Sequence, residues 1–438
     1  MRRVSPAKPL DVCLRLESLI EEDGDMFPLS KLLSHLIQVG SLKVIDADGK
    51  THTFGGRVAL GPSVTMQLSD AGLYKSLFFN PELAAGEAYM DGTLSFPGSS
   101  LRDFLALVSL NQNRSGGRPS PFHRAVGAIA RRLKRFQQSN PIGKAQQNIA
   151  HHYDIGNKLY RLFLDDGLFY SCAYFETDDA SLEAAQRAKC RLVAAKLSLK
   201  PGQKILDIGS GWGGLAIYLA QMEDVHVLGV TLSKEQHALA NERAKAAGVS
   251  DRVKFELRDY REIQQKFDRI VSVGMFEHVG VPRYDEFFAK VNELISDDGV
   301  MLLHSIGHMS PPSMASPWLR KYIFPGAYSP SLSEVFPAVE RSRLWVTDCE
   351  FLRLHYAMTL RHWHTRFEKS RAQIARMYDE RFCRMWEFYL ISAEMMFRTG
   401  AQEVFHLQLS RKRDASPIRR DYIFEALRQL KQREAERL

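Results

Sequence analysis

A doubly wound α/β domain preceded by a smaller α+β unit is the fold this sequence predicts, on three observations. Short apolar runs at 204–209, 226–232, 253–258, 269–275 and 300–306 alternate with helical patterns. Alternation at that spacing gives a parallel sheet with helices on both faces. The first run leads into KILDIGSGWGG, Lys204 to Gly214, where a buried strand turns through glycines into a helix; lacking a Cβ, glycine lets backbone approach a nucleotide-like ligand closely. Finally, 438 residues exceed what one hydrophobic core usually organises, so a second domain is expected.

In chain order, residues 10–40 carry a helical period, with Leu14, Leu19, Ile20, Leu32, Leu33, Leu36 and Ile37 as apolar faces around a break at Phe27–Pro28. From Ser41 the period shortens to that of strands in SLKVIDADGKTHTFGG, with Asp48–Gly49 as a hairpin turn, followed by VTMQL. A helix over Ala71–Phe79 and the stretch PELAAGEAYMDGTLSF complete an accessory α+β domain over 1–110, whose spacing holds no catalytic constellation. Residues 111–145 form a linker that opens with the loop composition NQNRSGGRPSP. The catalytic domain, 146–410, begins with HHYDIGNKLYRLFLDDGLFYSCAYFE and a helix from Leu182 to Leu197. After the strands named above come a helical region over 355–398 and a last strand, VFHLQLS, at 404–410; the tail, 411–438, is charged and helical in pattern.

The charge is local. Lys and Arg number 59 against 51 Asp and Glu, and the whole excess of eight falls between Phe104 and Tyr153, which holds no acid. Within it, Phe122, Val126, Ile129, Leu133 and Phe136 recur at helical spacing, with Arg124, Arg131, Arg132, Lys134 and Arg135 mostly elsewhere around the helix. A basic amphipathic helix suits an anionic bilayer surface, where each nearby cation contributes about 1 kcal/mol. The plainer alternative is a helix packed on the catalytic domain with solvated arginines, and nucleic acid is the least favoured partner. Composition is that of a soluble globular protein, 45% hydrophobic and 25% charged, with no run near the ~18 to 20 apolar residues that cross a bilayer. The N-terminus turns charged at Asp11, Arg15 and Glu17 before any signal-type apolar run. These features predict a cytoplasmic protein that meets a membrane only peripherally. Five scattered cysteines without a C-x-x-C pair argue for a reducing compartment and against a zinc or disulfide framework.

The glycine loop alone admits two ligands. Gly209, Gly211 and Gly214 satisfy G-x-G-x-x-G for a dinucleotide, while Asp207, Gly209, Gly211 and Gly213 satisfy the D-x-G-x-G-x-G of S-adenosylmethionine-dependent methyltransferases. A dinucleotide site wants an acid at the end of the second strand. Thr231 stands there, with Gln236 as a second candidate ribose partner. The third strand ends in Asp259-Tyr260-Arg261, offering a carboxylate for an exocyclic amine and an aromatic face for a purine. Both features favour an adenosyl ligand that is not a dinucleotide. At the ends of the fourth and fifth strands stand Glu277 and His304, which converge if those strands are neighbours. Singly, each is more often a helix cap or a hydrogen-bonded core residue. Metal binding by Cys172, Glu277 and His304 has no ligand spacing behind it, and adjacent His151–His152 suit no zinc pattern.

Taken together, FYSCAYF (169–175), LDIGSGWGG (206–214), GVTLSKEQ (229–236), RIVSVGMFEHVG (269–280) and LLHSIG (302–307) resemble the cyclopropane-fatty-acyl-phospholipid synthases and the related mycolic acid cyclopropane synthases over about 145–410. Through GEAYMDG (86–92), the first 110 residues resemble the lipid-binding domain of the phospholipid-acting members. The resemblance implies a Rossmann-like class I S-adenosylmethionine-dependent methyltransferase domain behind a smaller N-terminal α+β lipid-binding domain. It implies that methyl transfer to the cis double bond of a phospholipid acyl chain leaves a carbocation, which closes to a cyclopropane ring when a bound bicarbonate takes a proton. Carried over, the bicarbonate cradle is Cys172, Glu277, His304, Tyr356 and the backbone of Ile306. The cofactor contacts are Tyr170, Ser171, Asp207, Gly209, Gly211, Gly213, Thr231, Gln236, Asp259, Tyr260 and Arg261. A homodimer at an anionic membrane surface is implied too. Many members carry a late cysteine in Y-L-x-x-C-x-x-x-F-R; here YLISAEMMFR puts Ala393 there. Either that cysteine is dispensable or the product differs, the cation losing another proton to give a methylene- or methyl-branched chain. A non-catalytic lipid-binding protein with a vestigial nucleotide fold is the alternative of another class.

Overall fold

The computed structural model describes residues 26–55, 58–114, 156–313 and 316–437. The helical stretch before Phe27, the basic stretch from Phe122 to Gln137 and the His151–His152 pair lie outside the described residues. Of the described residues, 26–114 with Glu380–Phe388 form one compact unit and the remainder a second.

The first unit is a four-stranded sheet with helices. Helix α1 (Leu29–Leu36) precedes β1 (Val39–Ile45), β2 (Thr51–Gly55) and β3 (Val58–Leu68); α2 (Gly72–Phe79), α3 (Pro81–Asp91), the short β4 (Leu94–Ser95) and α4 (Leu101–Arg114) follow. The strand order is β2-β1-β3-β4. The expected hairpin joins β1 to β2, and Asp46 fixes its turn: Oδ1 accepts the amides of Asp48 (3.0 Å) and Lys50 (2.8 Å) while Oδ2 meets His52 Nε2 at 2.7 Å. Leu42 and Val44 from β1 and Val64, Met66 and Leu68 from β3 bury one sheet face under Leu33, Leu77 and Leu107. The start of the long helix α13 (Glu380–Arg398) belongs with this unit: Arg381 pairs with Asp91 at 2.7 Å and Phe388 lies against Tyr89. The sequence pattern had assigned all of 355–398 to the catalytic domain, because helical period does not report which unit a helix touches.

In the second unit, α5 (Asn157–Phe163) and α6 (Leu182–Leu197) lead into alternating elements: β5 (Lys204–Ile208), α7 (Gly214–Met222), β6 (His226–Thr231), α8 (Lys234–Ala246), β7 (Val253–Leu257), β8 (Phe267–Val273), α9 (Tyr284–Leu294) and β9 (Ile295–His308). Then come α10 (Pro317–Tyr322), α11 (Leu332–Ser342), β10 (Trp345–Phe351), α12 (His355–Met377), the rest of α13, β11 (Gln402–Ser410) and α14 (Asp421–Arg437). The seven strands are ordered β10-β11-β9-β8-β5-β6-β7. From β9 to β7 every pairing is parallel, and β11 is antiparallel to both β9 and β10. The parallel strands match the predicted ones, and the expected adjacency of the fourth and fifth holds as β8 beside β9. Strand β10 was not predicted; as an edge strand it stays mixed in polarity, with Trp345 46% exposed, and lacks the apolar run that marked the others. The chain winds from β5 outward in both directions, so the crevice beyond the carboxyl ends of β5 and β8 is the topological switch point where such sheets bind ligands.

The charged last segment is not free of this unit. Helix α14 lies along α6 and α7, and its Glu434, 7% exposed, receives Arg191 Nε at 3.0 Å, Arg191 Nη2 at 2.8 Å and the Tyr218 hydroxyl at 2.5 Å. Removing Glu434 leaves the buried guanidinium with only the more exposed Glu176, 2.8 Å from Nη1, and takes the acceptor from Tyr218 as well. Glu434→Ala is therefore expected to destabilise the protein by about 3 to 5 kcal/mol, read as a lower midpoint in guanidinium unfolding, with Arg191→Met largely relieving the loss in the double variant.

Candidate functional site

A cavity of about 150 Å³ opens beyond the ends of β5, β6, β7 and β8. Ten of the eleven candidate cofactor residues line it: Tyr170, Ser171, Asp207, Gly209, Gly211, Thr231, Gln236, Asp259, Tyr260 and Arg261. Gly213 does not. It sits at φ +81° before α7, and a Cβ there would fall 2.6 Å from Phe255 Cζ; its glycine is required by packing behind the loop. Gly209, at φ +83°, likewise has no room for a side chain, since a Cβ would stand 2.7 Å from Met275 Cβ.

The polar residues around the cavity are already organised. Thr231 donates to Gln236 Oε1 at 2.9 Å and accepts from the Ser233 amide at 3.2 Å, which orients the Gln236 amide. Asp259, expected as an acceptor for an exocyclic amine, is engaged by Arg261 through Nε (2.9 Å), Nη2 (2.6 Å) and the backbone amide (3.0 Å). Arg261 thus first orients Asp259, and only the remaining lone pairs serve a ligand. Tyr170 lines the cavity with its ring, stacked on Trp363 at 5.1 Å, while its hydroxyl shares a 2.8 Å hydrogen bond with that of Tyr389. Asp207 is 2% exposed. Burial pushes its carboxyl up to about 7, against the opposing pull of Lys189, and Oδ2 has no hydrogen-bond partner.

Lys189 itself escaped the sequence analysis. It lines the cavity from the middle of α6, 1% exposed, with Nζ 3.0 Å from Ser171 Oγ and 3.8 Å from the centre of the Phe169 ring. Burial lowers its pKa, with acidic neighbours including Asp165 and Asp207 opposing. The available signal was a lysine amid AAQRAKCRLVAA, a stretch too rich in alanine for a solvated helix face.

The second group of candidates lies around the ends of β8 and β9. Glu277 sits in a 3₁₀ turn, Phe276–His278, just past β8. It is 6% exposed, and burial raises its carboxyl to about 7 despite the hydrogen bond from Ile306. That bond, Ile306 N to Glu277 Oε1 at 2.6 Å, joins two of the candidates. The amide part of the Ile306 backbone is thus engaged by Glu277. Glu277 Oε2 has no partner. His304 stands opposite Val273 on β8, and its carbonyl accepts the Gly274 amide at 3.0 Å. Its imidazole makes no direct hydrogen bond to another candidate; Nδ1 pairs with His406 Nε2 at 2.8 Å across β9 and β11. Cys172 is fully buried, its thiol turned to the Ala173 carbonyl at 3.2 Å and pushed up in pKa by burial, so it is a neutral weak donor and not a thiolate. The Ala173 amide donates to Thr359 Oγ1 at 3.0 Å, tying this segment to α12, where Tyr356 packs on Trp363 and Phe397. Among the described residues no side-chain hydrogen bond directly links Cys172, His304 and Glu277. Ala393 is half-buried on α13 and does not line the cavity.

The family model for mycolic acid cyclopropane synthetase matches residues 142–407. The chain is 38% identical over 349 residues to the cyclopropane-fatty-acyl-phospholipid synthase of Escherichia coli K12, spanning 79% of this chain and 87% of that protein. It is 38% identical over 282 residues to the tuberculostearic acid methyltransferase UfaA1 of Mycobacterium tuberculosis, 61% of this chain and 66% of that one. Among solved structures, mycolic acid cyclopropane synthase CmaA1 complexed with SAH and CTAB superposes with a TM-score of 0.58 at 34% identity, covering 62% of this chain and 99% of that one.

The packing role of Gly213 has its own test. Gly213→Ala meets both a positive φ and the Phe255 ring, and is expected to cost about 2 to 4 kcal/mol of stability. Adding Phe255→Leu should recover part of that loss in thermal unfolding, because the two residues share one contact.

Proposed function

The chain belongs to the mycolic acid cyclopropane synthetase family, and we propose that it transfers the methyl carbon of S-adenosylmethionine to the cis double bond of acyl chains in membrane phospholipids, as the bridge of a cyclopropane ring. The observation that carries the phospholipid reading is the extent of the match to the phospholipid-acting relative. It is longer than the catalytic domain and tail together, so it reaches into the N-terminal part of the chain.

The cavity suits the methyl donor. A zwitterionic amino-acid group needs a buried carboxylate and a buried cation, and Asp207, with an unpartnered oxygen, and Lys189 supply them. The Tyr260 ring, Gln236 and Thr231 suit an adenosine. When bound, S-adenosylmethionine supplies an electrophilic methyl group. The protein's part is to hold the alkene, a poor nucleophile, in near-attack geometry away from water.

For the proton that ring closure releases, Cys172, Glu277, His304 and Tyr356 would hold bicarbonate, with Ile306 holding Glu277. Bound there, the ion supplies a base that is not itself methylated. Two features support this assignment: Glu277 Oε2 is a buried atom in want of a partner, and a carboxyl held protonated up to about 7 can donate to an anion. A second product stays open because one relative is named a methyltransferase and not a cyclopropane synthase: the same cation losing a different proton gives a methylene- or methyl-branched chain. By the same reading, the basic stretch 122–137 docks on an anionic membrane surface and the protein works as a homodimer. Among the described residues no helix is long and apolar enough to cross a membrane.

Lipid mass spectrometry tests the function. Cells expressing the protein should gain one CH₂ per unsaturated acyl chain, in a form that resists mild hydrogenation; uptake of hydrogen would mark the branched alkene instead, and no gain would overturn both. Glu277→Leu, which has no donor, should lower turnover at least about 10²-fold while leaving S-adenosylmethionine affinity within about twofold, as its loss touches the anion and not the methyl donor. The pH dependence has a definite sign. Only the protonated Glu277 donates to the anion, so bicarbonate affinity should fall as the pH rises through about 7, approaching about tenfold per unit, and Glu277→Gln should abolish that slope. For the membrane, Arg131, Arg132 and Arg135 changed to Glu should release the protein from anionic vesicles; salt-insensitive, unchanged sedimentation would favour the packing role.

A further inference from the structure

His406 belongs to none of the groups considered so far, yet it is fully buried and its Nε2 lies 2.8 Å from Nδ1 of His304. Two imidazoles at that distance share a single proton. Burial lowers both pKa values, His304 to about 3 and His406 well below the usual range, so the pair is neutral and each ring carries one N–H. Only two arrangements remain. In one, His304 Nδ1–H donates, which forces the proton of His406 onto its Nδ1, a buried atom with no hydrogen-bond partner. In the other, His406 Nε2–H donates, and His406 Nδ1 is left as a bare lone pair.

The second arrangement is favoured twice. Orphaned buried N–H groups are among the rarest features of folded proteins, and the Nε2–H form is the more stable tautomer of a neutral histidine side chain. It has a consequence for His304. With Nδ1 accepting, the proton of His304 must sit on Nε2, a nitrogen that makes no hydrogen bond among the described residues. We propose that His406 is a positioning residue: by donating Nε2–H to His304 Nδ1 it fixes His304 in the Nε2–H tautomer, so that a neutral imidazole serves as a hydrogen-bond donor to a small oxyanion. The link to an oxyanion rests on the bicarbonate assignment above; the tautomer does not. The pairing is set by the sheet itself, since His304 and His406 are register partners on β9 and β11.

Long-range ¹H–¹⁵N correlation spectra of the full-length protein labelled at its 14 histidines test the tautomer directly, with His304→Gln and His406→Gln for assignment. Both rings are expected to show a protonated Nε2 and a bare Nδ1 between about pH 6 and 8; a protonated Nδ1 on either ring, or an imidazolium, overturns the proposal. His406→Leu removes the donor. It should release His304 into a mixture of tautomers and weaken bicarbonate about tenfold, with S-adenosylmethionine affinity within twofold. His406→Gln, whose amide N–H can still donate, should restore both the tautomer and the bicarbonate response; failure of Gln to rescue while circular dichroism is unchanged counts against the proposal. A wild-type protein with the expected tautomers but no response to bicarbonate would instead overturn the anion assignment and leave His406's hold on His304 standing.

Discussion

Helix α6 is enclosed over nearly its whole length and still carries Lys189, Arg191 and Lys196. A buried cation is tolerated only with an acceptor in reach, and much of the second unit is arranged to meet that demand. Arg191 is met by Glu434 from α14 and by Glu176 at 2.8 Å. Lys196 is met by Glu350 at 2.5 Å and Asp348 at 3.3 Å, both from the edge strand β10. Lys189 faces the cavity with Ser171 and Asp207 for company. One helix therefore decides where the last helix, the edge strand and the cavity wall must lie.

Much of this arrangement was legible in the sequence, and the gaps have a common cause. The parallel strands announced themselves as apolar runs because both faces of such a sheet are covered, and the loop after β5 was marked by glycines whose conformations no other residue adopts easily. The adenosyl preference followed from Thr231 standing where an acid would serve a dinucleotide. What period and composition did not reveal were partnerships between distant residues. The split of α13, the match of Glu434 to Arg191, the capture of Asp259 by Arg261 and the donation of the Ile306 amide to Glu277 are each pairings, and a pairing leaves no local trace. Lys189 is the exception, a lysine set among alanines; β10 was hidden by its mixed polarity.

Two carboxyls bracket the chemistry and share one physical state. Asp207 and Glu277 are both buried, both raised to about 7, and each has an oxygen without a partner. In a finished interior such atoms are rare. Around a site they mark positions where desolvation has already occurred before any ligand arrives, so that a cationic or protonated group placed there gains the interaction in a low dielectric without reorganising its surroundings. The two lie at the ends of different strands, β5 and just beyond β8, so one sheet carries two separate buried carboxyls toward the same crevice.

The pairing of Arg191 with Glu434 also bears on how the chain reaches this state as it is synthesised. Helix α6 is made some 240 residues before α14, and during that interval Arg191 has no Glu434 to receive it. Until then Glu176, which precedes α6, is the acceptor within its reach. Strand β11, inserted between β9 and β10, likewise arrives late. The surroundings of α6 are therefore completed by elements far along the sequence from it, α14 and β11, so that much of this interior rests on contacts of long sequence separation.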